Sequence, residues 1–240
     1  MKLTIFRAAI AFGFVSIGFV ASAGNTYTPV ALPSLNTDIR TWTDGTAYNP
    51  LFPSPSFSSS QTLGGVPFQF QADANGNTAF ETGSLTIPVN IYGVSSVYTL
   101  INSAYGAYGE DVGSVTFDGS LGNTYTVQLI EGVNIRDHYY NPYPFVNTTS
   151  DPTTTEAVWG VNDYGYAHLD MQDFTLPTSF ADQTLVNIVF DSTGGYPSGE
   201  PFIAGATALS PSSVPDAGFS ASLLGLSVGV LGWFRRRLAR

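Results

Sequence analysis

The chain has 240 residues, enough for one domain with a sizeable hydrophobic core. It contains no cysteine, which excludes a disulfide scaffold, a Cys-ligated metal site and a thiol nucleophile. Residues 24–213 carry 17 acids and only two bases, Arg40 and Arg136, so their formal charge is −15. Because phosphate binding needs clustered Lys and Arg, the sequence predicts no nucleic-acid partner.

Residues 1–23 have the pattern of a secretory signal peptide. Lys2 and Arg7 precede an apolar run, and Ala21 and Ala23 supply the small residues at which signal peptidase cleaves. An N-terminal membrane anchor is the alternative interpretation, but the apolar run is short for a membrane span. We therefore expect cleavage by signal peptidase and export of the mature protein.

Three features follow one another at the C-terminus, after a linker over residues 210–213. The first is a short motif: Val214, Pro215, Asp216, Ala217 and Gly218. The second is an uncharged stretch over residues 217–234, which as a helix is about 27 Å long and nearly matches a hydrocarbon core of ~30 Å. The third is a basic cluster over residues 235–240 that acts as a stop-transfer signal, and it begins with Arg235, Arg236 and Arg237.

This succession resembles the PEP-CTERM class of bacterial sorting tails in its VPDSG variant, with Ala217 where that variant usually has Ser. The resemblance covers residues 214–240. It implies that a membrane-embedded exosortase cleaves near the motif and passes the domain to the cell exterior, commonly in species that make exopolysaccharide. The protein would then be held transiently in the inner membrane by its C-terminal helix before it reaches the cell surface or the extracellular space. A permanent membrane anchor is the alternative.

Between the two ends, composition and periodicity divide the chain at about Leu63. Residues 24–62 are rich in Pro, Ser and Thr, which favours an extended or irregular segment that Trp42 and Phe52 would dock onto the body. Residues 63–209 alternate apolar and polar side chains and show no sustained helical period. The predicted strands cover residues 66–70, 85–91, 96–101, 114–117, 124–130, 157–161, 166–176, 185–190 and 201–209.

About nine short strands separated by turn residues indicate an all-β fold, an antiparallel β-sandwich with a jelly roll as its best match. A signal helix and a single transmembrane helix would flank it. Pro88 predicts an edge position or a bulge in its strand.

The order of short motifs within residues 63–209 resembles the galactose-binding-like jelly rolls found beside carbohydrate-active enzymes on exported bacterial proteins. The motifs are residues 63–68 (LGGVPF), 132–139 (GVNIRDHY), 156–159 (EAVW), 186–190 (VNIVF) and 201–205 (PFIAG). At His138 that pattern has Trp as often as His. The resemblance supports the fold more strongly than it supports a ligand.

The densest aromatic cluster of the chain, over residues 138–145, is the candidate carbohydrate-binding site. Flat aromatic faces stack on sugar rings, and neighbouring amides and carboxylates bind hydroxyl groups. The candidate residues are His138, Tyr139, Tyr140, Tyr143 and Trp159. The alternative is that these rings are ordinary core residues that cap an open end of the sandwich.

Arg136 is predicted to form a bidentate pair with a carboxylate other than its neighbour Asp137, because adjacent strand residues point to opposite faces. Its alternative role is ligand binding.

Asp73, Asn75 and Asn77 imitate the start of a Ca²⁺ loop, but Thr78 and Ser84 stand where that loop needs Gly and Glu. A turn through residues 75–76 explains them without a metal. The sequence predicts no cofactor; structural Ca²⁺ is compatible with so many acids, but no ligands can be assigned.

Two common catalytic motifs are missing from the sequence, which contains no H-E-x-x-H and no phosphate loop. Its histidines are His138 and His168 alone. Asp170 and Asp173 are a carboxylate pair that would suggest glycoside hydrolysis, although spacing in sequence cannot supply the separation that this chemistry needs. We expect a non-enzymatic cell-surface or extracellular-matrix protein with exopolysaccharide as its candidate ligand. The alternatives are a structural protein without a ligand and, less favoured, a glycoside hydrolase.

Overall fold

The computed structural model describes residues 24–43, 58–140, 145–162 and 165–211. The predicted signal peptide and sorting tail lie outside these ranges, as do Phe52 and Tyr143. No helix within the described ranges is both long enough and apolar enough to cross a bilayer.

The described residues form twelve strands and two short 3₁₀ turns, Ile39–Thr43 and Thr178–Phe180. In chain order the strands are β1 Asn25–Val30, β2 Ser58–Leu63, β3 Val66–Gln71, β4 Gly83–Tyr92, β5 Ser96–Ala104, β6 Asp111–Gly119, β7 Thr124–Ile130, β8 Tyr139–Tyr140, β9 Thr154–Asn162, β10 Gly165–Thr175, β11 Thr184–Ser192 and β12 Glu200–Pro211. Each of the nine predicted strands overlaps one of them, whereas β1, β2 and β8 were not predicted.

Two antiparallel sheets build the body of the protein. The first has the order β1-β12-β5-β10-β8, with β9 also paired to β10, and the second has the order β4-β11-β6-β7. Buried side chains of both sheets meet in one core: Val97, Ile101, Val115, Phe117, Phe174, Leu185, Ile188 and Phe190. The predicted all-β, antiparallel architecture is confirmed, and it is consistent with a β-sandwich.

A ribbon made of β2 and β3 belongs to a second apolar cluster on the first sheet. In β3 every second residue is buried, and its Phe68 and Phe70 join Leu100 of β5, Leu169 of β10 and Phe202 of β12 in this cluster. The central strands of the first sheet are therefore buried on both faces, which is why β12 is apolar almost throughout.

The N-terminal segment differs from the expectation of an irregular chain outside the sandwich. Asn25–Val30 pairs along its whole length with β12, and Trp42 packs in the second apolar cluster beside Phe202. The Thr- and Pro-rich composition of this segment did not predict β1. Its pairing partner, β12, lies about 180 residues away in sequence, so the pairing leaves no pattern in the local sequence. Trp42 does dock the segment onto the body, as predicted.

Pro88 lies where the sequence predicted it. Its strand β4 is at the edge of the second sheet, and the pairing of β4 with β11 shifts register between Leu185 and Asn187, next to the proline. Both the edge position and the irregularity accommodate a residue that has no N–H to donate.

Candidate functional site

The segment from Glu131 to Tyr139 crosses the end of the first sheet and is held there by backbone hydrogen bonds. The Ser103 N–H donates to the Arg136 carbonyl (3.0 Å), and the His138 N–H donates to the Ser103 carbonyl (2.7 Å). On the other side, the His168 N–H donates to the His138 carbonyl (2.7 Å). His138 is thereby fixed between β5 and β10.

An ion pair anchors the same segment through side chains. Arg136 donates from Nε to Asp170 Oδ2 (2.6 Å) and from Nη2 to Asp170 Oδ1 (2.7 Å), with Asp170 fully buried. Burial opposes the charge of Arg136, but the hydrogen bonds and charge of Asp170 outweigh it and raise the pKa of the guanidinium. Asn102 donates to the same carboxylate (2.9 Å) and accepts the Asp170 N–H (2.7 Å). The predicted bidentate pair of Arg136 is confirmed.

A cavity of about 430 Å³ opens beside this segment. Its lining comes from distant parts of the chain: Thr37, Trp42, Glu81, Ala104, Tyr105, Asp137, His138, Tyr139, Phe145 and Glu200. The volume falls in the usual range for small-molecule pockets, about 300–1,000 Å³.

Aromatic rings form the floor and one rim of the cavity. At the floor, the rings of Trp42 and His138 lie 5.2 Å apart between centroids. At the rim, Tyr105 meets Phe145 and Tyr196 edge to face, each at 5.5 Å, and Tyr196 is 72% exposed. Tyr105 itself is 43% exposed and has φ +64°, a conformation unfavourable for a bulky residue. Backbone strain of this kind is concentrated at ligand-binding positions.

Two glutamates reach the cavity because β12 bridges to the chain before β4. The Phe80 N–H donates to the Ile203 carbonyl (3.0 Å), and the Ile203 N–H donates to the Phe80 carbonyl (2.8 Å). These bonds bring Glu81 to the same cavity as Glu200, the first residue of β12. Burial and the charge of Glu200 raise the pKa of Glu81. The cavity therefore holds two carboxylates that repel each other.

Asp137 and His138 supply the buried polar groups of the lining. Asp137 accepts the N–H of Tyr139 (2.6 Å) and of Gly106 (3.3 Å), yet burial outweighs these bonds and raises the pKa of its carboxyl to about 7. Burial lowers the pKa of His138 to about 3, with His168 adding to the effect, so the His138 ring is neutral at physiological pH.

Behind Asp137 lies a second buried acid, Glu131, whose side chain is fully buried. Neither of its carboxylate oxygens has a hydrogen-bond partner among the described residues, and a Cβ added at Gly106 or Gly199 would lie 2.2 or 2.6 Å from one of them. Burial raises the pKa of Glu131 to about 8. The Ser103 hydroxyl, close but outside hydrogen-bonding geometry, opposes this shift, and Asp137 adds to it. Glu131 is therefore protonated at neutral pH.

The structure brings two of the five predicted sugar-binding residues to the cavity, His138 and Tyr139. Tyr140 lies in β8 and Trp159 in β9, but their side chains are outside the described part of the molecule, as is the whole of Tyr143. The cavity residues that the sequence did not predict are Thr37, Glu81, Ala104, Tyr105, Asp137 and Glu200; Trp42 was assigned only a docking role. The one feature of the sequence that pointed to this part of the lining was Trp42, the single Trp of the Pro-, Ser- and Thr-rich segment.

Two other sequence features have structural explanations. Asp73 accepts the N–H groups of Asn75 and Asn77 (both 2.8 Å), and the Gly76 N–H donates to the Asp73 carbonyl (3.0 Å), so these residues close a tight turn. Asp170 and Asp173 are three residues apart in one strand, which places them on opposite faces of the sheet rather than together.

No model of a known protein family matches the chain, and no curated protein matches it either. The cavity and its chemistry therefore carry the functional inference.

We predict that loss of the bidentate pair destabilises the fold. Asp170→Asn removes the buried countercharge of Arg136 and leaves it only the longer ion pair with Glu156 (3.3 Å), so it should lower the free energy of unfolding by about 3–5 kcal/mol, measured by urea denaturation. Arg136→Lys should also destabilise the fold, because a lysine ammonium cannot donate the two parallel hydrogen bonds that the guanidinium donates to Asp170. Arg40→Lys is the matched control: Arg40 pairs with Asp38 (2.8 Å), whose side chain is 26% exposed, so the loss should be only about 1 kcal/mol. Equal losses at the two sites would contradict this account.

We predict that Glu131 makes stability fall as pH rises. Its pKa is raised on folding, so between about pH 4.5 and 8 the unfolded chain releases a proton that the folded protein keeps, and ionisation favours unfolding. Glu131→Gln should therefore leave stability nearly unchanged at pH 4.5 and increase it at pH 8.5 in urea titrations. The exposed Glu110→Gln removes one acid without burial and is the control. A Glu131→Gln protein that keeps the full pH slope of the wild type would refute the assignment.

Proposed function

We propose that the protein is an exported component of the cell surface or extracellular matrix whose β-sandwich binds carbohydrate in the cavity beside Trp42 and His138. The observation that carries the proposal is the composition of the cavity lining. Aromatic rings present flat apolar faces for the C–H face of a sugar ring, and three carboxylates accept hydrogen bonds from hydroxyl groups around it.

We further propose that the sandwich is a jelly roll. When β2, β3, β8 and β9 are left out, the remaining eight strands follow the orders 1-8-3-6 and 2-7-4-5 in the two sheets. This is the arrangement of two interlocked Greek keys that a jelly roll has. Two parts of the chain outside these eight strands contribute to the cavity lining: the N-terminal segment supplies Thr37 and Trp42, and the segment leading into β8 supplies Asp137 and His138.

The proposal of binding has a direct test at the strained rim residue. Tyr105→Gly loses the ring contacts with Phe145 and Tyr196 but relieves a positive φ, so the two effects on the free energy of unfolding oppose each other and the net change should be small. Affinity for the polysaccharide fragment selected on a glycan array should fall about tenfold in calorimetric titrations, since stacking on the ring is lost.

Asn90→Gly is the matched control, because Asn90 also has positive φ (+57°) but does not line the cavity. It should leave affinity unchanged. Undiminished binding by Tyr105→Gly, or binding to no glycan at all, would count against a carbohydrate site here. Release of reducing ends from the same polysaccharides would favour a glycoside hydrolase instead.

Export and sorting are proposed from the terminal sequences alone. Signal peptidase and an exosortase should each remove one end, since residues 1–23 have the signal pattern and residues 214–240 the sorting pattern. Intact mass spectrometry of the protein isolated from the host envelope and medium should find a chain that begins near Gly24 and ends near Val214. Recovery of the full-length tail in purified membranes would show a permanent anchor.

A further inference from the structure

We infer that the sugar bound in this cavity carries an ammonium group, as in a polysaccharide rich in glucosamine. This inference rests on the proposed carbohydrate function and names the class of sugar. It follows from the charge and the aromatic content of the lining, taken together.

The cavity is acidic and nothing in its described lining offsets the acids. The carboxylates of Glu81 and Glu200 face it, whereas burial raises the pKa of the Asp137 carboxyl in the same lining to about 7. His138 is neutral at physiological pH because burial lowers its pKa to about 3. The structure describes two bases, and each is committed elsewhere: Arg40 to Asp38 and Arg136 to Asp170. A uronic acid or a sulfated sugar would be repelled from such a site.

Glu81 and Glu200 supply the specific reason for a cation. Both side chains line the cavity, and the charge of Glu200 adds to the effect of burial in raising the pKa of Glu81, so the two carboxylates form an unfavourable like-charge pair. A neutral sugar leaves that repulsion in place. An ammonium group between them cancels it and donates three hydrogen bonds, and bonds between charged partners are about twice as strong as neutral ones.

The aromatic residues favour the same ligand. Trp42, Tyr105, Tyr139 and Phe145 line the cavity that the carboxylates face. A cation within about 6 Å of an aromatic face is attracted by the ring quadrupole, most strongly where water is excluded. The combination of stacking faces and carboxylates thus fits a sugar ring that bears a positive charge better than it fits a neutral ring.

Matched tetrasaccharides separate these possibilities. The full chain is titrated calorimetrically at pH 6 with β-1,4-linked oligomers of glucosamine, N-acetylglucosamine and glucose. Glucosamine should bind at least about tenfold tighter than the other two, because neither of them has a cation to pair with the carboxylates of Glu81 and Glu200. The preference should shrink as salt rises from 50 to 500 mM.

A double variant tests the source of the preference. Glu81→Gln with Glu200→Gln keeps the size of both side chains and an acceptor oxygen on each, but it removes both charges. Glucosamine affinity should fall at least about tenfold, to that of glucose, whereas glucose affinity should fall much less because glucose forms no ion pair with them. Glu110→Gln, a glutamate outside the lining, should change neither.

The outcomes distinguish the two proposals. Equal binding of glucose and glucosamine oligomers that depends on Tyr105 would overturn the ammonium inference and leave the carbohydrate function standing. A preference that survives in the double variant would also overturn it. Failure of every oligosaccharide to bind would overturn both proposals, and it would be seen in the wild-type chain before any variant is made.

Discussion

The buried ion pair between Arg136 and Asp170 is the interaction on which the candidate site depends. A charge buried without its partner is strongly destabilising, so β10 and the segment carrying Arg136 have to meet in one geometry. That geometry places the next two residues, Asp137 and His138, at the cavity and not in solvent. Residues 24–213 contain only two bases, so few other cations compete with Arg136 for Asp170. The position of Asp137 and His138 at the cavity therefore follows from this ion pair.

A second constraint couples the fold to the site. The central strands of the first sheet are apolar on both faces, so the face turned away from the sandwich core has to be covered. The β2–β3 ribbon and the N-terminal segment provide that cover, and they bring Trp42 against His138 and Phe202. The layer that completes the hydrophobic core is therefore the same layer that supplies an aromatic ring to the cavity.

The sequence predicted what depends on local pattern and missed what depends on distant pairing. Period-two alternation found nine strands, because alternate side chains enter a core. The strand β1 has a polar start and a proline, and only its pairing with β12 defines it. The site divides in the same way: His138 and Tyr139 belong to an aromatic cluster that is visible in the sequence, and the sequence also predicted that Arg136 pairs with a carboxylate other than Asp137. Glu81 and Glu200 lie about 120 residues apart, and only the bridge between Phe80 and Ile203 brings them together.

The buried acids at and behind the cavity lower the stability of the fold. Asp137 and Glu131 are buried deeply enough for their pKa values to rise to about 7 and 8, and Glu81 is held near Glu200. Apolar residues at these positions would fold more readily, since each carboxyl gives up hydration that its neighbours replace incompletely. Departures from the best local choice are concentrated at functional sites, and here they coincide with the strained Tyr105 and with exposed aromatic rings. A ligand that compensates the acids of the lining has to donate hydrogen bonds and to present a flat face to the rings, as the proposed sugar does.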